Sequence, residues 1–179
     1  RAGIAASERH NIPPFVDGSI RREPDLEHDF PSISCLCRTD KFSTRLRVGD
    51  HALYMTHKGR YGTDSRHWRC TALLRAARLF DSHAEASAWY RENGLPLPSN
   101  CMVPGNKALP LSKSHRRFSD SGRARCASGS CRGTWDSGYV RRARRFGRFV
   151  VCEPLWRDLS WDAPEVHDAD FISVFGRRP

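Results

Sequence analysis

Between Lys113 and Arg148, eleven Lys and Arg stand against two Asp, so this stretch holds +9 of the chain's net +10. Phe118, Trp135, Tyr139 and Phe146 are interleaved with the cations. Guanidinium groups neutralise phosphates and release counterions, and aromatic faces receive unstacked bases. Arg116, Arg117, Arg123 and Arg125 precede the densest cluster, Arg141, Arg142, Arg144 and Arg145. These eight are the expected contacts to a nucleic-acid backbone, in DNA or RNA. Gly and Ser between the charges point to an insertion that orders on binding.

A second group has the chemistry of a base pocket: Tyr54, Thr56, Trp68, Ser99 and Asn100. Stacking on a flipped base needs an exposed ring, and Trp68 opens a segment just after a Gly-rich polar loop. Ser99 and Asn100 lie in "PSNCMVPGN", between Pro96, Pro98, Pro104 and Pro110. A proline-stiffened loop can hold an amide towards a base edge, or Ser and Asn can satisfy the loop's own backbone. Trp89 is expected in the core, while Trp156 and Trp161 flank a turn and have no assigned role.

Other chemistry is thinner. His51, His57 and His67, with Asp50 and Asp64 near in sequence, are the candidates for acid–base work on a nucleotide. That enzyme is the alternative reading, alongside a structural protein of a ribonucleoprotein particle. Cys126 and Cys131 are half a zinc set without a partner pair, and no metal or cofactor is expected. "GRYGTDS" lacks the Gly-Lys-Ser/Thr ending of a phosphate loop.

The positioning elements follow from pattern. Residues 1–28 read as an extended arm. Phe30–Arg38 reads as a buried strand, and Thr39 or Asp40 caps a short helix that turns Phe42, Leu46 and Val48 inward. Gly49-Asp50 turns into a second strand with Ala52, Tyr54 and Thr56 on one face. Trp68–Phe80 fits helix or strand, with strand preferred. Ser82 and Glu85 match a capping box, opening a helix that ends at Gly94. Two last strands are expected at 148–156 and 170–176.

The arrangement "SISCLCRTDKFSTRLRVGDHALYMTHKG" followed by "WRCTALLRAARLF" resembles the start of the PUA-like superfamily, which includes EVE, ASCH and YTH domains. More narrowly, it is similar to stand-alone domains associated with base modification in bacteria and phages. The resemblance spans roughly residues 30–112. It implies a single domain over 29–179, with an Arg-rich insertion at 113–148. The implied fold is α+β, a small mixed, barrel-like sheet with two or three helices. The implied function is nucleic-acid binding with recognition of a modified or flipped base.

Seven Cys, Cys35, Cys37 and Cys70 among them in apolar contexts, suit a reducing, cytoplasmic setting better than a disulfide framework. No apolar run of about 18 residues exists, so no membrane partner is expected. The chain begins at Arg1 without a secretory-signal layout, as expected of a fragment or processed product.

Overall fold

A computed structural model describes residues 7–36, 42–114 and 131–177. Its centre is β3, Trp68–Phe80, a strand of 13 residues that spans about 40 Å at the usual rise. The ambiguity between helix and strand resolves by burial. Ala72, Leu74 and Ala76 are buried while Arg75 between them is exposed, the period-2 pattern of a half-covered sheet.

Around β3 the chain lays β2 (His51–Met55) and β4 (Phe149–Arg157), both antiparallel to it. β1 (Ser32–Ile33) pairs with Val151 and Val150 of β4, and β5 (Glu165–Val166) pairs with Arg69 and Trp68 at the start of β3. The described sheet therefore runs β1-β4-β3-β2 and is open, with β1 and β2 unpaired to each other. The protein is α+β on an antiparallel sheet.

One sheet face carries a core of Leu26, Ile33, Leu46, Ala52, Leu74, Val150 and Cys152. Against the Phe80 end packs α1, His83–Glu92, which buries Ala86 and Tyr90 against Phe149, Val151 and Cys101. The Ser82 hydroxyl accepts the Glu85 amide at 3.1 Å, a cap contributing about 1 kcal/mol. Glu85 reaches back to the amide of Asp81 instead of Ser82, one residue off the expected box. At Gly147 a Cβ would run into the Asp81 carbonyl oxygen, so the entry to β4 needs glycine to lie this close to α1.

Several expectations are corrected. Phe30–Arg38 contributes only the two ladder residues of β1 among those described. The short helix is a 3-10 turn, Ser43–Arg45, and Val48 points to solvent because the chain is extended again at Leu46. The segment 170–176 is not a strand but belongs to α3, Asp168–Phe175. There the His167 amide donates to Asp170 Oδ2 at 2.7 Å, fixing the first turn, and Gly176 at φ 66° ends the last. Phe171 and Phe175, four residues apart, meet at 5.9 Å on one helix face, a spacing a strand would not give.

Of the expected arm, residues 7–10 are helical and 11–28 have little regular structure, yet this segment does not stand away from the domain. Ile12, Ile20 and Leu26 are buried, and so are the charged Arg21, Arg22 and Asp25. The basic insertion contains a helix, α2, Cys131–Arg145. Its Tyr139 and Ala143 are buried against Ile20, Leu36 and Ala108. Part of the insertion is thus ordered before any partner binds. Among the described residues no helix is long and apolar enough to cross a membrane.

Candidate nucleic-acid interface

On α2, Asp136, Tyr139 and Ala143 recur at helical spacing and face the domain. At 100° per residue, Arg141 and Arg145 fall on the opposite side and Arg144 on its flank. All three are exposed, and none forms an ion pair with a described residue. Arg142 is half-buried, its guanidinium 4.7 Å from the Tyr139 ring. Elsewhere arginines are held by carboxylates: Arg148 by Asp81 at 2.7 Å, Arg69 by Glu165 at 3.0 Å, and Arg75 by Glu153. Among the described residues no carboxylate holds Arg141, Arg144 or Arg145, and the Arg145 guanidinium lies 5.1 Å from the Phe146 ring. Arg116, Arg117, Phe118, Arg123, Arg125 and Cys126 lie outside the described residues, as do the side chains of Cys131 and Trp135.

The five expected pocket residues divide into two places. Ser99 and Asn100 are buried, and their polar atoms are used internally. The Ser99 amide and hydroxyl both donate to Asp25 Oδ2, at 2.8 and 2.7 Å. Asn100 accepts from the Ser32 hydroxyl at 2.6 Å and donates to the Ser32 carbonyl at 3.1 Å and to Glu23 Oε2 at 3.2 Å. This loop binds the N-terminal segment to β1.

Glu23, which sequence reasoning passed over, sits in the middle of that network. Its carboxylate also accepts from the Ser34 amide and hydroxyl. Burial pushes its pKa up to about 7, only partly offset by the Ser34 and Asn100 donors. No short-range pattern in "RREPDLEHD" could have singled it out from the acids around it.

Tyr54, Thr56 and Trp68 lie along the sheet. Tyr54, opposite Ala72, packs on the core with its ring 6.4 Å from Phe42. Thr56 meets Arg69, its hydroxyl accepting the Arg69 amide at 2.9 Å. Trp68 is half-buried, with Lys58 Nζ 4.3 Å from its ring centroid and the Phe171 ring 5.3 Å away. Lys58 is in turn held by both Asp168 oxygens at 2.7 Å. A salt-bridged lysine thus lies over the Trp68 ring, where a stacked base would need it to move aside.

Beside Trp68 lies a polar cluster that links the β2–β3 loop to β5 and α3. His67 is fully buried, its Nδ1 3.2 Å from the Ser65 carbonyl and its Nε2 3.6 Å from Glu165 Oε1. Glu165 also takes His167 Nε2 at 3.2 Å. Among the described residues no three His, Cys, Asp or Glu side chains are arranged to hold a metal ion. His51 and His57 are exposed and lie apart from this cluster in the chain. Of the expected acid–base set, His67 has a close carboxylate neighbour, and that neighbour is Glu165, not Asp64.

No protein-family model, no curated protein and no solved structure matches the chain.

Proposed function

We propose that this protein binds nucleic acid, with Arg141, Arg144 and Arg145 of α2 gripping the phosphate backbone. The observation that carries the reading is the combination of three exposed guanidinium groups, none in an ion pair with a described residue, with a helix that is anchored on its other face. Fixed cations lose less entropy on meeting phosphates than cations on a mobile chain. Arg142 and the arginines of the preceding segment would extend the contact.

The finer part of the proposal is that a modified or flipped base is read at the other end of the sheet, beside Trp68 and Thr56, once Lys58 swings off the ring. Ser99 and Asn100 would support the domain behind it, their hydrogen bonds being satisfied within the protein. The PUA-like, barrel-like architecture belongs to this proposal. It is supported by the order of 3-10 turn, Gly-Asp turn, short strand and long crossing strand.

Fluorescence anisotropy with matched single- and double-stranded oligonucleotides, plain and carrying modified cytosine or adenine, tests both parts across a salt series. A preference for one modified base that survives high salt and disappears in Trp68→Ala supports base reading. Equal, steeply salt-dependent binding leaves the backbone grip alone, as in a structural ribonucleoprotein component. No binding at low salt refutes the proposal.

A further inference from the structure

We infer that Arg21 is a positioning residue for the basic helix, locking the rotation of α2 so that its arginines face outwards together; this rests on the nucleic-acid reading above. Arg21 is 3% exposed and spends its guanidinium on three segments. Nε and Nη2 donate to the two Asp136 oxygens at 2.7 and 2.9 Å. Nη1 donates to the Ser99 carbonyl at 2.9 Å, and Nη2 also to the Asn106 carbonyl at 3.0 Å. Its partners lie 78 to 115 residues away in sequence.

The two loop partners are themselves fixed. Ser99 is held by Asp25, and its hydroxyl accepts the Arg22 amide at 3.1 Å. The Asn106 side-chain amide donates to the carbonyls of Pro98 and Cys101 at 2.9 and 2.7 Å. The guanidinium therefore joins a rigid loop to Asp136 through a planar fork, a geometry lysine cannot reproduce.

The lock matters because the apolar seam of α2 is slender. Of its residues with described side chains, only Tyr139 and Ala143 are buried. Packing over so small a described seam is less directional than a bidentate pair, which fixes the helix about its axis. Asp136 is also the only acidic residue of α2. Paired inwards with Arg21, its charge is neutralised and does not oppose phosphates on the arginine face.

The experiment uses the full chain with Asp136→Asn, which keeps the shape of the side chain and leaves the Ser99 and Asn106 carbonyls with their donor. Hydrogen exchange of the free protein reads the anchoring, and anisotropy with a fluorescein-labelled 20-mer duplex across 50–200 mM salt reads its consequence. Exchange over residues 136–145 is expected to speed up about tenfold while β3 stays protected. The slope of log K against log salt is expected to become shallower by about 1 to 2, as arginines fall out of register with phosphates. Arg21→Lys should move both readouts the same way, and Asp136→Glu should restore them in part.

Unchanged exchange in Asp136→Asn overturns the lock. Faster exchange with an unchanged salt slope leaves an anchor that positions nothing, and overturns the inference while the nucleic-acid reading stands. If the wild-type protein binds neither this duplex nor its single strands at low salt, the nucleic-acid reading fails and the positioning role with it, whatever the exchange shows about the anchor.

Discussion

Glu23→Gln tests the buried network that ties the N-terminal segment to the proline-rich loop. In the folded protein the Glu23 carboxyl is pushed up from 4.5 to about 7 by burial. A carboxyl that holds its proton more tightly when folded stabilises the fold at low pH. That contribution is complete below about pH 4.5 and is lost as pH rises through about 7. At about 1.4 kcal/mol for each pH unit across that interval, the swing is about 3 kcal/mol. This is an upper limit, since the residue as a whole is only half-buried.

His83 works in the opposite direction. It is buried with its pKa lowered from 6.5 to about 4 by desolvation, and its Nδ1 accepts the Met102 amide at 3.0 Å. The stability it contributes is present above pH 6.5 and is lost as pH falls towards 4. The two contributions offset each other in the wild type over nearly the same window, so pH alone does not expose either. Comparing wild type with Glu23→Gln cancels His83.

Glutamine can accept from Asn100 and from the Ser34 hydroxyl, but its amide then opposes the Ser34 amide, a pH-independent cost of about 1–3 kcal/mol. Urea unfolding followed by tryptophan fluorescence at steps from pH 4.5 to 8 gives the difference curve. The advantage of wild type over the variant should shrink by up to about 3 kcal/mol across the range. That is a relative midpoint movement of about 1.5 M at a slope near 2 kcal/mol per molar urea. Two curves that stay parallel would refute the claim that this carboxyl is desolvated.

Replacing Arg141, Arg144 and Arg145 together with alanine should reduce the salt slope of oligonucleotide binding by about 2.7, so the affinity lost between 50 and 200 mM salt shrinks about 40-fold. Arg75→Ala, which removes a cation already held by Glu153, is the matched control and should leave the slope unchanged. Asn100→Ala should cost about 3 kcal/mol by stranding Ser32 and weakening the hold on Glu23, lowering Tm by roughly 6–12 °C in a thermal melt. Contact with both ends of β3 requires a ligand of about 12 nucleotides at 3.4 Å each. A length series of duplexes should therefore gain affinity up to about that size, and a plateau at six would show that only one end is used.

The elements with strong local signals were legible in the sequence. β4 announces itself by its apolar run and α1 by Ser82 at its start and Gly94 after its end, whereas β3 fits either period and only the cap that follows it favours a strand. α3 was misread because Phe171, Ser173 and Phe175 alternate as a strand would, while the feature that decides the matter, Asp170 holding the His167 amide, needs the backbone already turned. The helix in the basic segment was hidden for another reason. Its apolar seam is only two residues wide in the described part, too little to register against so much charge. The buried charges were not legible at all. Arg21 resembles Arg22 beside it in sequence, yet Arg21 reaches Asp136 and Arg22 pairs with Glu27.

These hidden charges also explain the proline-rich loop. Four prolines and the side-chain amides of Asn100 and Asn106 could have been built to present polar groups outwards. In the folded chain Asn100 faces Ser32 and Glu23, and the carbonyls of Ser99 and Asn106 face Arg21. The stiffness therefore serves an inward task. A loop free to move would let Arg21 follow α2 as it rolled, whereas a loop held by prolines gives the guanidinium a fixed base. The same residues that looked like a reader of bases are better placed to determine where the arginines of α2 point. Any base reading would then fall to the Trp68 end, about 40 Å away along β3.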